Sequence, residues 1–327
     1  MKIGKLPNDV LEDIVLSNIT EKRKEVLWGA GVGEDCAVLD FGKEACVMST
    51  DPITGAIKNI GSLAVHISCN DVASNGAEPI GVLLTILVPP NTTKEDISEI
   101  MSDASDAANS LNVSIIGGHT EITDAVNKVV ISATVVGKQL KEKILNPKNI
   151  NIGDKVIITK MAGIEGTSII AHDLEEKLKN KLTNEELTEA KNMDKYTSVV
   201  KEGKICGEIG VDYMHDVTEG GLLGAIWETS KAIDRGIKIK RDSIPVSPVT
   251  NKICNIFNID PLKLISSGSM VIIASEEKVK LITKGLYNNN IKSTIIGEVI
   301  DKGIFMEDKG SLNEILPPKS DELYKVV

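Results

Sequence analysis

Residues 80–88 form an almost wholly apolar run, Ile-Gly-Val-Leu-Leu-Thr-Ile-Leu-Val, that stops at Pro89-Pro90. The run is far shorter than the roughly 20 residues needed to span a bilayer. It has the length of a buried strand, and the prolines end it. Just beyond, Thr92 and Glu95 have capping-box spacing, and Ile97, Ile100, Met101, Ala104, Ala108 and Leu111 recur at intervals of three and four. That is the signature of a helix with one buried face. A buried strand beside a one-faced helix calls for layers of sheet and helix, so the chain is expected to fold as α/β or α+β.

The alternation extends in both directions. Residues 8–19 predict an amphipathic segment, 45–49 a strand, 61–76 a helix, and 113–116 and 129–136 further strands. Around residues 138–153 the sequence turns polar, with Asn146-Pro147 and several lysines between apolar stretches. A domain junction there divides the chain into 1–148 and 149–327. The 327 residues suffice for two domains of roughly 100 to 200 residues each. Past the junction, 155–159, 270–274 and 294–300 predict strands, and 163–178, 182–200, 222–233 and 276–289 predict helices.

Charge and cysteine usage exclude several functions. Lys and Arg total 37 against 47 Asp and Glu, and the net charge of -10 is spread along the chain. No basic surface is available to displace counterions from nucleic-acid phosphates. The opening residues lack the charged head and long apolar stretch of a signal peptide, so no membrane partner and a cytoplasmic location are expected. The five cysteines form no CxxC pair, which leaves free thiols in a reducing compartment as the expectation.

Common nucleotide signatures are absent: no Gly-Lys pair is followed by Ser or Thr, and no GxGxxG occurs. The first half instead places carboxylates where apolar strands or glycine turns end, at Asp35, Asp51, Asp71 and Glu121. Such groups converging on one spot repel unless a divalent cation joins them. An oxygen-only set without His or Cys spacing suits Mg2+, whose shell substrate phosphates commonly complete. Each carboxylate taken singly is also an ordinary turn or cap residue. Gly163, Gly166 and Thr167 lead a helix whose exposed amides would favour an anion; the same glycines equally suit close packing. Asp216 and Glu219, between His215 and Gly220-Gly221, form a second acidic motif, with helix-cap residues as the plainer alternative.

The motifs Gly33-Glu34-Asp35-Cys36-Ala37-Val38-Leu39, Ser49-Thr50-Asp51, Leu63-Ala64-Val65-His66 through Asn70-Asp71 to Gly76-Ala77-Glu78-Pro79, and Gly117-Gly118-His119-Thr120-Glu121 occur in order. In the second half stand Thr159-Lys160-Met161-Ala162-Gly163-Ile164-Glu165-Gly166-Thr167 and His215-Asp216-Val217-Thr218-Glu219-Gly220-Gly221. This set resembles, nearly end to end, the superfamily of aminoimidazole ribonucleotide synthetase, thiamine monophosphate kinase, selenophosphate synthetase and the hydrogenase maturation protein HypE. The HypE-like branch is the most similar.

The resemblance implies a two-domain PurM-like subunit whose N-terminal domains pair across a homodimer into a β-barrel, with ATP and Mg2+ held near that interface. It makes Asp35, Asp51, Asp71 and Glu121 the metal ligands, and Lys5, Asp51 and Asp71 the catalytic residues. Asp35, Asn70, Gly117, Gly118, His119, Thr120, Gly163, Gly166 and Thr167 would bind the nucleotide. The implied reaction phosphorylates and activates an oxygen of a small-molecule or protein acceptor. A simple kinase of the thiamine monophosphate type, or a nucleotide-binding maturation protein with little turnover, is the alternative. Two departures stand out. His119 occupies a position that is usually acidic in these relatives, and residues 316–327 lack the cysteine that receives the carbamoyl group at the C-terminus of HypE proteins.

Overall fold

A computed structural model describes residues 8–20, 23–32, 35–54, 59–318 and 320–326. Lys5, Gly33 and Glu34 lie outside the described residues.

Among the described residues the strands gather into two sheets. The first contains β1 (Val26–Trp28), β2 (Ala37–Phe41), β3 (Glu44–Ile53), β4 (Glu78–Val88), β5 (Ser114–Ile122) and β6 (Val130–Leu140), in the order β1-β2-β3-β6-β4-β5. Only the β4 and β5 pair is parallel, so a crossover must join them, and the helix Lys94–Leu111 is that crossover. Its capping box sits one residue later than the sequence spacing suggests. The Thr93 hydroxyl accepts from the Asp96 N–H at 3.1 Å, and the Asp96 carboxylate accepts from the Thr93 N–H at 2.8 Å. Thr92 is not free to cap, because its N–H closes a turn onto the Pro89 carbonyl at 3.0 Å.

The helix Ile60–Ser74 lies on β3 and β6, where Val65, Val72, Val47, Ile86, Ile131 and Val135 make the core of this half. Each such side chain contributes roughly 1.5–3 kcal/mol by leaving water. Strand β5 runs well beyond the expected 113–116, so the Gly117-to-Glu121 motif is strand and not a loop. Gly117 and Gly118 have φ of 149° and 147°, and a Cβ on Gly118 would stand 1.9 Å from the Leu84 carbonyl oxygen. Only glycine lets β5 run this close to β4.

The second sheet holds β7 (Lys155–Thr159), β8 (Tyr213–Val217), β9 (Gly236–Lys240), β10 (Ser269–Ala274), β11 (Ser293–Ile300), β12 (Ile304–Asp308) and β13 (Ser311–Glu314), ordered β13-β12-β9-β11-β7-β10-β8. Strands β8, β9, β12 and β13 are absent from the sequence pattern because they are short and interrupted by polar residues. The helical stretch expected over 182–200 is broken into the helix Asn184–Lys191 and the turn Asn192–Tyr196, and a further helix, Val200–Ile209, follows.

That last helix joins the two halves. It crosses Ile60–Ser74 so closely that a Cβ on Gly203 would lie 2.2 Å from the Ala73 carbonyl oxygen. Beside the crossing, the buried Asn70 amide donates to the Thr197 carbonyl at 2.7 Å, and its oxygen accepts from the Val199 N–H at 2.8 Å. The residue next to this tie is Asp71. No helix among the described residues is long and apolar enough to cross a membrane.

Candidate active site

Asp71 is 3% exposed, and its position follows from the Asn70 tie on one side and β3 on the other. The Ser49 hydroxyl on β3 donates to Asp71 Oδ2 at 2.5 Å. Asp51, two residues along the same strand and therefore on the same face, is near enough for its carboxyl to raise that of Asp71. From the second half, β8 brings in His215 and Asp216, both buried. His215 Nδ1 is 3.1 Å from Asp35 Oδ2, and its Nε2 is 3.1 Å from Glu228 Oε2. Asp35, His215 and Asp216 each present a ligand atom within 4.8 Å of the others.

The electrostatics of this group are those of a site with more carboxyl groups than positive charge, which His215 alone supplies among the groups that act on it. Burial, and then the neighbouring Asp216, Asp51 and Asp35, push the Asp71 carboxyl well above the usual range. Burial and Asp35 likewise push Asp216 up to about 7, against the opposing pull of His215. For His215 burial favours the neutral ring, but Asp35 and Glu228 outweigh it and hold the imidazole well above its ordinary value. The Cys36 thiol beside them is pushed up by burial and by the same carboxylates, which makes it a poor nucleophile. Both oxygens of Asp216 are buried with no hydrogen-bond partner among the described residues. Since both His215 nitrogens face carboxylates, the donors left for an ion are oxygens. This donor set fits Mg2+.

The structure thus brings Asp35, Asp51 and Asp71 together and adds Asp216, which belongs to this cluster and not to a separate acidic site. Glu121 is not part of it within the chain. Its side chain is 53% exposed on edge strand β5 and lies 3.3 Å from His119, itself 66% exposed. Thr120 and the glycines before it share that exposed edge. Asn70 spends both ends of its amide on the tie between halves.

Gly163, Gly166 and Thr167 do not offer open amides to an anion. The Ser266 hydroxyl accepts from the N–H groups of Gly163 and Ile164 at 2.8 and 3.3 Å, and the Ile265 carbonyl accepts from Gly166 at 2.9 Å. Thr167 is fully buried against Thr250, and a Cβ on Gly166 would meet Leu264 at 2.4 Å. Close packing is their role. Glu228 was invisible as a partner of His215 because the strand and the helix Gly221–Ala232 bring together residues 13 apart. The adjacent His215-Asp216 pair was the available signal.

An acidic, buried junction between two mixed α/β halves defines a class of two-domain enzyme. Residues 33–139 match the AIR synthase related protein N-terminal domain, and residues 151–309 match the corresponding C-terminal domain. The chain belongs to the AIR synthase-related family, in its HypE-like branch, and is an ATP-using enzyme of that class. It is 29% identical over 286 residues to a putative hydrogenase expression/formation protein of Methanocaldococcus jannaschii, covering 84% of this chain and 81% of that one. It is 27% identical to the selenide, water dikinase of Methanococcus maripaludis, covering 95% and 97%. The fold is similar to a crystal structure of HypE in complex with ATP, with a TM-score of 0.72, 19% identity and coverage of 99% and 97%.

Proposed function

We propose that Asp35, Asp51, Asp71 and Asp216 hold the magnesium and polyphosphate of ATP, and that the chain transfers the γ-phosphoryl group to an oxygen of an acceptor. The observation that carries this reading is the convergence of carboxylates from both halves on a buried point where, among the described residues, neither Asp216 oxygen has a hydrogen-bond partner. A bound Mg2+ would neutralise charge on the phosphates. The protein's own part is positioning. The Asn70 tie sets the helix that carries Asp71, Ser49 orients its carboxylate, and Glu228 through His215 holds Asp35 in place. Phosphoryl transfer needs little more than alignment and compensated charge. Relatives named carbamoyl dehydratase HypE and selenide, water dikinase support turnover over a bare nucleotide-binding role.

Calorimetry tests the assignment. Mg-ATP is expected to bind the native chain and to bind Asp216→Asn about 100-fold or more weakly, since the substitution removes one ligand charge. Equal affinities would refute it. With an acceptor present, ADP and free phosphate are the expected products; a stable phosphorylated acceptor would instead identify a simple kinase.

The working unit in this reading is a homodimer. Edge strand β5 leaves one side unpaired, and Ile80, Leu83, Ile116 and Ile122 of β4 and β5 are 43%, 38%, 55% and 59% exposed. An apolar, unpaired edge calls for a covering surface, and a second copy provides one. Ile116→Lys with Ile122→Lys should halve the mass seen by sedimentation. A doubly substituted chain that stays dimeric would disprove this interface.

A further inference from the structure

A second cavity, of about 340 Å³, lies between the halves and is lined by none of the clustered aspartates. Its walls come from the helices Ile60–Ser74, Lys94–Leu111 and Ile164–Asp173 and from the turn Asn192–Tyr196. The helix Ile60–Ser74 contributes to both places without joining them, because at ~100° per residue His66 projects about 140° around the axis from Asp71. This volume is within the roughly 300–1,000 Å³ typical of small-molecule pockets.

The lining defines what could enter. Leu63, Ala107 and Ile169 supply apolar wall. Among the described residues the lining holds the carboxyl side chains of Asp103, Asp106, Glu165, Asp173 and Asp194 and one ammonium, that of Lys195, while the Lys160 ammonium acts on His66 from outside it. Burial and the charges of Glu99 and Asp106 raise the Asp103 carboxyl, as expected of acids crowded without counter-ions. Among the described residues, three buried polar atoms of the lining have no hydrogen-bond partner: His66 Nδ1, Asp194 Oδ1 and His172 Nε2, the last 3.9 Å from Asp194 Oδ2. Burial pushes the His66 imidazole down to about 4, so at neutral pH its ring is uncharged and can present an acceptor.

A buried polar atom without a partner is left with its desolvation cost unrepaid, and two acceptors in one cavity ask for donors. An anionic ligand would meet the excess of carboxyl groups, and a purely apolar one would leave His66 Nδ1 and Asp194 Oδ1 without a hydrogen bond. A positively charged N–H donor on an apolar body satisfies the acceptors, the charge and the wall together.

We propose that this cavity is a second binding site, separate from the acidic cluster, for a small organic cation such as an alkyl- or arylamine. Its ligand would touch both halves at once, on the same helix that carries the Asn70 tie.

Benzylamine is a suitable probe, with benzyl alcohol and benzoate as its neutral and anionic counterparts, each titrated into the 327-residue chain by calorimetry. Benzylamine is expected to bind at least about tenfold more tightly than benzyl alcohol, and benzoate not at all. Saturating Mg-ATP should leave the benzylamine affinity unchanged. Asp106→Asn combined with Asp194→Asn should erase the preference for the amine while Mg-ATP still binds, and Ala107→Leu should exclude amine and alcohol alike. Indistinguishable or absent binding of amine and alcohol to the native chain overturns the proposal. So does displacement of benzylamine by Mg-ATP, or an undiminished preference in the doubly substituted protein.

Discussion

Asp71 and Glu121 both stand in polar motifs of the first half, yet Asp71 is 3% exposed and the Glu121 side chain is 53% exposed. Around Asp71 the chain has gathered Asp35, Asp51 and Asp216 from three further segments, so its charge is set by distant neighbours. Around Glu121 the nearest partner is His119, two residues away on the same strand. The difference teaches that an acidic motif acquires chemical consequence from what the fold packs against it. In water two carboxylates a few ångströms apart repel weakly; out of water the same repulsion becomes a demand for a cation.

The largest effect that could break the comparison is at Asp71 itself. Asp71→Asn should lower turnover by about 100-fold or more, by loss of a ligand charge. Without nucleotide and metal the same variant should be more resistant to urea than the native chain at pH 8, because burial and like charges disfavour the ionised carboxyl there. Turnover lost with stability gained would mark a group held in place against its own electrostatics. A variant that is less stable in the apo state would mean that Asp71 is a structural acid.

Glu165 offers a buried acid outside the cluster and sharpens the contrast by a smaller effect. Burial outweighs its hydrogen bonds from Ser267 and pushes its pKa from 4.5 to about 7. A carboxyl raised in this way binds its proton more tightly folded than unfolded. Its stabilisation is therefore complete below about pH 4.5 and is lost as the pH rises through about 7. Asp321, pushed up to about 6 by burial, acts in the same direction. Urea midpoints of the apo protein should fall between pH 5 and pH 8, and Glu165→Gln should fall less steeply. Parallel curves for the two proteins would remove Glu165 from the account.

The sequence made some of this legible and hid the rest for definite physical reasons. Asp35, Asp51 and Asp71 could be read because each stands at the end of an apolar stretch or a glycine turn in the sequence, and the strands of the first half are long enough to show their period. Asp216 was visible as part of an acidic motif, but nothing local says that β8, an edge strand of the second sheet, abuts the first half beside Asp35. Gly163 to Thr167 looked open to an anion because the Ser266 hydroxyl and Ile265 carbonyl that occupy its amides come about 100 residues later. The capping box slipped by one residue because a proline turn claimed the Thr92 amide first. In each case the deciding partner was distant in sequence or fixed by a neighbouring turn, and periodicity carries no information about either.

The smallest effect belongs to the exposed edge. Glu121 and His119 form a pair at 3.3 Å with more than half of each side chain in solvent. Water and salt screen such a contact, and holding two side chains in one geometry costs entropy comparable to the gain. In the Ile116→Lys, Ile122→Lys background, where β5 has no second copy over it, Glu121→Gln should change unfolding stability by no more than about 0.5 kcal/mol. The change should shrink further at high salt. A loss several times larger in that background would show that Glu121 is held by more than its neighbour two residues away. The division between a consequential buried motif and an inconsequential exposed one would then have to be redrawn around β5.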